Sequence, residues 1–363
     1  MKKLLAIFLI LTLALALVAC GGDPAENPTD SGSAGDSVVS DTDKTPASDD
    51  EESEDSEKEW EPLEVAANKF IVSDYLNRRL VVYDLDLVPE EGDLSLGEIW
   101  ALEGVYSASV KYRENTKYGT VVLTTHNGPV ITDFETKEEI WCGGAGKAGS
   151  NPHSIEILPS GNIVTASSTD GLIRIFNTYD MVTNGAPIKH KSYELPSAHG
   201  VLWDPESELL WALGETELIA YVVKEQDGME VLQKVNGIGA KLPTGGGHDL
   251  SADLMDSNFL WCTTNSGVYH FDKEANEFDA KYNQYAKLNK GAVKGFGNNK
   301  NGNFIFSQAK GDDDETLPTG APGWSTDIIT FGFWKSENFL YVREIQCKDC
   351  AFYKARVLHG DYQ

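Results

Sequence analysis

Six basic residues recur at one position of a repeated sequence pattern. They are Lys111, His153, His199, His248, Lys294 and Lys354, and the steps between them are 42, 46, 49, 46 and 60 residues. Arg113 and Arg356 stand two positions after the first and last members, so on an extended strand they point to the same side. Cationic groups gathered in one place repel one another unless an anion lies between them. The pattern therefore predicts an anion-binding pocket that contains all eight residues.

The three histidines leave two other interpretations open. Nitrogens from His153, His199 and His248 could bind zinc or a similar divalent transition metal, although the nearby carboxylates are limited to Glu156 and Asp249. Alternatively, the histidines and lysines form a structural ring whose members bond to ordinary protein partners. No resident cofactor is predicted, and a divalent transition metal is the ion that the histidines would accept.

The segments around these basic residues have the pattern of short strands joined by turns. Residues 151–168 contain a strand, a Pro-Ser-Gly-Asn turn and a second strand, and further strands follow at 172–176 and 191–195. Four strands within about 45 residues is the size of one β-propeller blade. The pattern recurs after Lys111, His199, His248 and Lys294. Each repeat is therefore predicted to be one blade, with the basic residue at the head of its first strand.

The two ends of the repeated region complete each other. Residues 69–102 supply a second, third and fourth strand without a first, whereas Phe352–Val357 is a strand that belongs to no preceding blade. Pairing these segments closes the ring and removes exposed sheet edges. We predict an all-β fold, a six-bladed β-propeller closed by its C-terminal strand, with seven blades as the alternative. The long last step is explained by an insertion at 311–322.

Several of these segments resemble an uncharacterised family of exported bacterial β-propeller proteins. The resemblance rests on His153–Asn162, Ala198–Asp204, Gly246–Ser251 and Tyr353–Arg356. It extends over nearly all of residues 68–358 and implies the fold and export, but no activity. Val357 follows the closing motif where the family usually has an aromatic residue. More loosely, the blades are similar to those of six-bladed propellers with Pro-His-Gly-Ile and Pro-Asp-Gly-Asn repeats.

The N-terminal region predicts a targeting signal and a linker. Lys2 and Lys3 precede an apolar run that ends at Ala19, and Cys20 follows, which resembles a bacterial lipoprotein signal. We expect a signal peptide at 1–19, lipidation of Cys20 and anchoring at the cell surface, on the outer face of the cytoplasmic membrane. Residues 20–59 are acidic and almost free of apolar side chains, which predicts a disordered tether before the propeller at 60–363.

The net charge of the protein limits the classes of partner that it is expected to bind. Thirty Lys and Arg residues against 57 Asp and Glu residues give a net charge of −27. The tether contributes −12 and the two N-terminal lysines +2, so the propeller retains −17. Because phosphate backbones are bound mainly by basic surfaces, nucleic acid is not expected as a partner, and membrane contact is expected through the lipid anchor alone. The expected partner is a small anionic ligand or carbohydrate.

The sequence favours a ligand-binding lipoprotein and leaves catalysis open. The favoured function is binding of a carboxylated or sulfated carbohydrate or metabolite at the mouth of the channel, tighter at pH 5.5 than at pH 8 because histidines ordinarily titrate near pH 6.5. One alternative is a metal-assisted or histidine-dependent lyase or hydrolase acting on an anionic polysaccharide. The other is a non-catalytic scaffold. Tyr112 and Tyr353 are predicted to be core residues, and Cys347 and Cys350 to form a disulfide.

Overall fold

The computed structural model describes residues 68–125, 128–144, 146–179, 188–279, 290–336 and 339–360. Within these ranges the chain forms six four-stranded antiparallel sheets, and its helical content is two short 3-10 turns at Leu85–Leu87 and Leu94–Gly97. No helix in the same ranges is long and apolar enough to cross a membrane. The expected signal peptide, Cys20 and the acidic tether lie outside the described residues.

Each sheet is one blade, and the strands of a blade follow one another from the channel outwards. Blade 1 contains β24 (Phe352–Val357), β1 (Lys69–Asp74), β2 (Arg79–Asp84) and β3 (Glu98–Glu103), and blade 2 contains β4 (Val110–Asn115), β5 (Gly119–Thr124), β6 (Val130–Asp133) and β7 (Glu139–Cys142). Blade 3 contains β8 (Pro152–Ile157), β9 (Ile163–Ser167), β10 (Leu172–Phe176) and β11 (His190–Glu194).

The remaining three blades follow the same order. Blade 4 contains β12 (Gly200–Asp204), β13 (Leu209–Leu213), β14 (Glu217–Gln226) and β15 (Met229–Lys241), and blade 5 contains β16 (Gly247–Ala252), β17 (Phe259–Thr264), β18 (Val268–Asp272) and β19 (Glu277–Phe278). Blade 6 contains β20 (Val293–Asn298), β21 (Phe304–Gln308), β22 (Ile328–Ser336) and β23 (Phe339–Gln346). The six innermost strands contact one another in sequence around a closed ring.

The core is divided among the contacts between blades. Each pair of adjacent blades shares its own cluster of buried apolar side chains, so the described residues contain six such clusters. The reason is that both faces of a blade pack against neighbours, which demands apolar residues on both sides of the middle strands. In β2, for example, Leu80, Val81, Val82 and Tyr83 are all buried.

The C-terminal strand closes the ring, which confirms the predicted six-bladed propeller. Strand β24 pairs antiparallel with β1, and Val357 lies opposite Phe70. The inner strand of blade 6 packs so tightly against β24 that a Cβ atom on Gly295 would lie 2.8 Å from the backbone nitrogen of Ala355. Glycine is thus required where the last blade meets the closing strand. The seven-bladed alternative is wrong for the chain that the structure describes.

The segment that leads into the closing strand contains a disulfide and is hydrogen-bonded to strand β1. Cys347 and Cys350 form a disulfide. The backbone nitrogen of Ala351 donates to Asp74 Oδ1 at 3.2 Å, at the end of strand β1. The hydrogen bond of Ala351 holds the start of β24 beside β1, and the disulfide closes the short loop that precedes it.

Candidate functional site

The six repeated basic residues all lie at or beside the starts of the innermost strands, on one face of the propeller. Four of them meet there, and we call His153, His199, His248 and Lys294 the mouth. The rings of His153 and His199 stack with centroids 4.2 Å apart, and His248 lies edge-on to His199 at 5.2 Å. Lys294 Nζ lies 3.1 Å from His248 Nε2. The three histidines therefore form a continuous row beside a lysine.

Each imidazole of the mouth is oriented through one of its nitrogens. His199 Nδ1 donates to the backbone oxygen of Ser197 at 2.8 Å, and His153 Nδ1 bonds to the Tyr353 hydroxyl at 2.9 Å. His248 Nε2 lies 2.6 Å from Asn265 Oδ1. His248 Nδ1 is buried and has no hydrogen-bond partner among the described residues. In His153 and His199 the bonded Nδ1 fixes the ring, and Nε2 is the group that a ligand could engage.

The histidines of the mouth are neutral at physiological pH. Burial, together with the nearby charges of Lys294 and Lys354, lowers the pKa of His199 to about 4 and that of His248 to about 3. The pKa of His153 also falls well below its usual range through burial and the neighbouring His199. The expectation of histidines that titrate near pH 6.5 is therefore wrong. Histidine protonation therefore gives no reason for anion binding to strengthen between pH 8 and pH 5.5.

Below the mouth lies a separate group of six charged residues, which we call the channel interior. It comprises Lys111, Arg113, Glu156, Asp249, Lys354 and Arg356. Lys111 Nζ donates to Glu156 Oε2 at 2.7 Å and also to the backbone oxygen of Val201. Arg113 reaches the same carboxylate through Nε at 3.0 Å and a terminal nitrogen at 3.1 Å.

The second half of the channel interior repeats this arrangement with Asp249. Lys354 Nζ lies 3.1 Å from Asp249 Oδ1 and donates to the backbone oxygen of His153 at 2.9 Å. Arg356 binds both oxygens of Asp249, one of them at 2.6 Å. These cations hold the pKa of Asp249 well below its usual range despite burial. The described ion pairs of the channel interior thus contain four cations and two carboxylates.

The structure separates residues that the sequence pattern had grouped. Lys111 and Lys354 are 2% and 1% exposed and bonded to carboxylates, so they do not line the pocket beside the histidines as expected. Burial lowers the pKa of Lys111 to about 7 and that of Lys354 to about 8, with neighbouring arginines adding to the effect. The physical reason that these lysines leave the mouth is the length of the side chain. A lysine at the head of one strand can place its amine beside a carboxylate of another blade.

Some residues of the site were missed or misjudged. Tyr353 and Tyr112 are both buried, as expected. The additional role of Tyr353, a hydroxyl bond to His153, was missed. Tyr112 packs 4.8 Å from Phe134. Asn265 and Ser197 come from loops between strands, where the repeat gives no positional signal. A β-bulge between Gly247 and Asp249 shifts the register there, so strict alternation along the strand does not predict which way these side chains point.

The arrangement of the three histidines does not match a metal site. Among the described residues no group of three or more His, Cys, Asp or Glu side chains could hold a metal ion. The lone pair of an imidazole nitrogen lies in the plane of its ring. The stacked rings of His153 and His199 lie 4.2 Å apart and 24° from parallel, so their lone pairs lie in nearly parallel planes and do not converge on one ion. The geometry favours hydrogen bonding over coordination.

Comparison with known proteins supports the fold and gives a family. A family model described as "Family of unknown function (DUF6528)" matches residues 100–311. No curated protein matches the chain. A chain of the nidogen/laminin complex is 12% identical, with 79% of this chain and 97% of that chain covered and a TM-score of 0.50.

Two bacterial structures show a weaker likeness. A putative 6-phosphogluconolactonase from Bacteroides uniformis ATCC 8492 is 12% identical, with 76% of this chain and 82% of that chain covered and a TM-score of 0.46. A gluconolactonase from Xanthomonas campestris is 14% identical, with coverages of 67% and 84% and a TM-score of 0.39. At these identities the likeness concerns the fold alone.

Proposed function

The chain belongs to the DUF6528 family, and we propose that this propeller binds a small anionic ligand at the mouth of its channel. The observation that carries the proposal is the charge of the channel. Its interior pairs four cations with two carboxylates, and Lys294 adds a fifth cation at the mouth, in a propeller whose net charge is −17. A cluster of excess positive charge in an acidic protein attracts an anion.

The residues of the mouth fit a carboxylate or sulfate group. Lys294 supplies the charge, and a charge-assisted hydrogen bond from an ammonium to an anion is about twice as strong as a neutral one. Among the neutral imidazoles, His153 can donate to the anion through Nε2 when its Nδ1 accepts from the Tyr353 hydroxyl. His199 gives its proton to the Ser197 carbonyl, so its Nε2 is an acceptor that suits a hydroxyl group of the ligand. Lys354, bonded to the backbone oxygens of His153 and His248, adds positive potential from below without contacting the ligand.

The location of the protein forms part of the proposal. The lipoprotein-like sequence around Cys20 supports export and lipid anchoring at the cell surface. The ligand would then be an anion met outside the cytoplasm, such as a carboxylated or sulfated carbohydrate or metabolite.

Isothermal titration with D-glucuronate tests the binding function. Wild-type protein should bind the sugar acid, and added salt should weaken binding. Lys294→Ala should bind about tenfold more weakly or worse, because a hydrogen bond to a charged group contributes roughly 1.5–3 kcal/mol. Lys300→Ala serves as the matched control, since Lys300 is exposed at the opposite end of strand β20.

Equal affinity of Lys294→Ala and Lys300→Ala for D-glucuronate would contradict the proposed site. So would binding that is insensitive to salt, because the proposal depends on charge attraction.

A second candidate function has one specific observation in its favour. The Tyr353 hydroxyl and His153 Nδ1 are 2.9 Å apart, within reach for proton transfer, beside cations that could neutralise a sugar carboxylate. This pair would suit histidine-dependent elimination on an acidic polysaccharide. Ultraviolet absorbance of the unsaturated product during incubation with polygalacturonate tests it, and Tyr353→Phe should abolish any such signal. Absence of the signal from wild-type protein would rule out elimination on that polymer.

A further inference from the structure

A row of aromatic side chains leads away from the mouth across the same face. It begins at Tyr353, which is bonded to His153. The Trp324 ring lies 5.1 Å from that of Tyr353, and the Tyr75 ring lies 4.4 Å from Trp324. Tyr106 completes the row, 3.7 Å from Tyr75. The rings are therefore in continuous contact from the histidines outwards.

Three of these rings come from connections on the mouth face. Tyr75 lies in the turn between β1 and β2, Tyr106 between β3 and β4, and Trp324 in the long connection between β21 and β22. We call Tyr75, Tyr106 and Trp324 the aromatic platform. Three separate segments of the chain thus place an aromatic residue on one patch.

The platform differs from the aromatic residues of the core. Trp211 and Trp261, which pack between blades, are each 1% exposed, whereas Tyr106 is 41% exposed and the other two platform rings are partly exposed. Aromatic surface left in water is costly, and contiguous apolar patches on a protein surface commonly mark binding sites. Its contact with the mouth suggests that both surfaces serve one ligand.

We propose that the aromatic platform binds a sugar ring of an acidic saccharide whose charged residue occupies the mouth. This inference rests on the proposed function and extends it by naming the ligand class. A pyranose ring has an apolar face of C–H groups, which packs on aromatic rings, and hydroxyl groups at its rim that hydrogen-bond to nearby polar residues. A small inorganic anion would occupy the mouth but would gain nothing from the platform.

The charges around the platform determine which sugar residue of the ligand lies on the platform and which lies at the mouth. The connection between β21 and β22 that carries Trp324 also carries the exposed acidic residues Asp312, Asp313 and Glu315, which repel an anionic sugar residue from that side. At the far end of the platform the Arg78 guanidinium lies over the Tyr106 ring, 5.9 Å from its centroid, where it can donate to hydroxyl groups. Arg78 is a single exposed cation, whereas Lys294 lies above the four cations of the channel interior, so the expected ligand has its acidic residue at Lys294 and a neutral residue on the platform.

Isothermal titration with three sugars tests this inference. The probes are D-glucuronate, an aldobiouronic acid in which a hexuronic acid is linked to one neutral sugar, and a neutral disaccharide. Wild-type protein should bind the aldobiouronic acid more tightly than D-glucuronate. Trp324→Ala and Tyr106→Ala should each weaken binding of the aldobiouronic acid about five- to tenfold and leave D-glucuronate unchanged. Tyr179→Ala is the matched control, because Tyr179 is 66% exposed on the loops of the opposite face.

The outcomes separate the two proposals. If both platform variants bind the aldobiouronic acid as the wild type does, the platform is not a sugar site, whatever Lys294→Ala shows. If Lys294→Ala binds D-glucuronate as tightly as the wild type does, the mouth is not the anion site. The platform is then supported only if Trp324→Ala and Tyr106→Ala still weaken binding of the aldobiouronic acid. A wild-type protein that binds none of the three sugars overturns the saccharide assignment. Tyr106 is exposed, so its variant keeps the test valid should Trp324→Ala fold poorly.

Discussion

The mouth and the channel interior are built from equivalent positions of the same repeat, yet they have different chemistry. In the interior, Lys111 and Lys354 are buried beside carboxylates that lie on other blades. At the mouth, Lys294 lies against a neutral histidine. The difference arises from Glu156 and Asp249, each of which draws one lysine and one arginine away from the surface. Equivalent positions in a repeat therefore predict location and not function.

Removing a carboxylate from the interior should produce the largest effect. Asp249→Asn leaves Lys354 and Arg356 buried without their shared counter-charge, and loss of one partner from such a pair costs about 3–5 kcal/mol. Urea unfolding should show this loss in the free energy of unfolding. Asp313→Asn, at an exposed position of the insertion, should change it by less than about 0.5 kcal/mol. Equal stability of the two variants would mean that the ion pairs of the interior contribute nothing.

Mild acid should destabilise the protein through the mouth. His199 has a pKa near 4 in the folded state and an ordinary value near 6.5 when unfolded. Between these values the unfolded chain binds more protons, so stability falls as pH falls, by about 1.4 kcal/mol per pH unit for each such histidine. Urea unfolding of His199→Gln at pH 7, 6 and 5 should show a shallower pH dependence by that amount. An unchanged slope would place the acid sensitivity elsewhere.

A smaller effect is expected where the mouth joins the closing strand. Tyr353→Phe removes the hydroxyl that bonds to His153 Nδ1 and should lower the free energy of unfolding by about 1 kcal/mol. Tyr112→Phe is a useful comparison, because Tyr112 packs in the core away from the histidines. The Tyr353 variant should alter ligand affinity, whereas the Tyr112 variant should not. Identical affinities would show that the orientation of His153 is set by other contacts.

The fold could be predicted because the repeat imposes it at many positions. Strand patterns recur at blade spacing, and the lone strand at 352–357 has one partner that closes the ring. The predicted core role of Tyr112 was likewise confirmed. These features depend on how apolar and polar residues alternate along a strand and on which of them are buried, and both can be read from short stretches of sequence.

The site could be predicted only in part. The sequence brought His153, His199, His248 and Lys294 to one place, but nothing in it indicated that Lys111 and Lys354 would be buried in ion pairs. Whether an amine points to solvent or to a carboxylate depends on contacts between blades more than 40 residues apart, as for Lys111 and Glu156. Burial also decided the histidine pKa values, and a β-bulge beside His248 altered the strand alternation.

We propose that the mouth binds an anion while the ion pairs of the channel interior stabilise the fold. Thermal unfolding of Lys294→Ala and Lys111→Met, each with and without D-glucuronate, measures both properties at once. Lys294→Ala should melt near the wild-type temperature and lose the increase that the sugar acid produces. Lys111→Met should melt at a lower temperature because Glu156 loses a buried partner. It should keep most of that increase, because the loss of one interior cation weakens the attraction for the anion but leaves Lys294, which contacts the ligand. A Lys294→Ala protein still stabilised by D-glucuronate, or a Lys111→Met protein that melts like the wild type, would contradict the account.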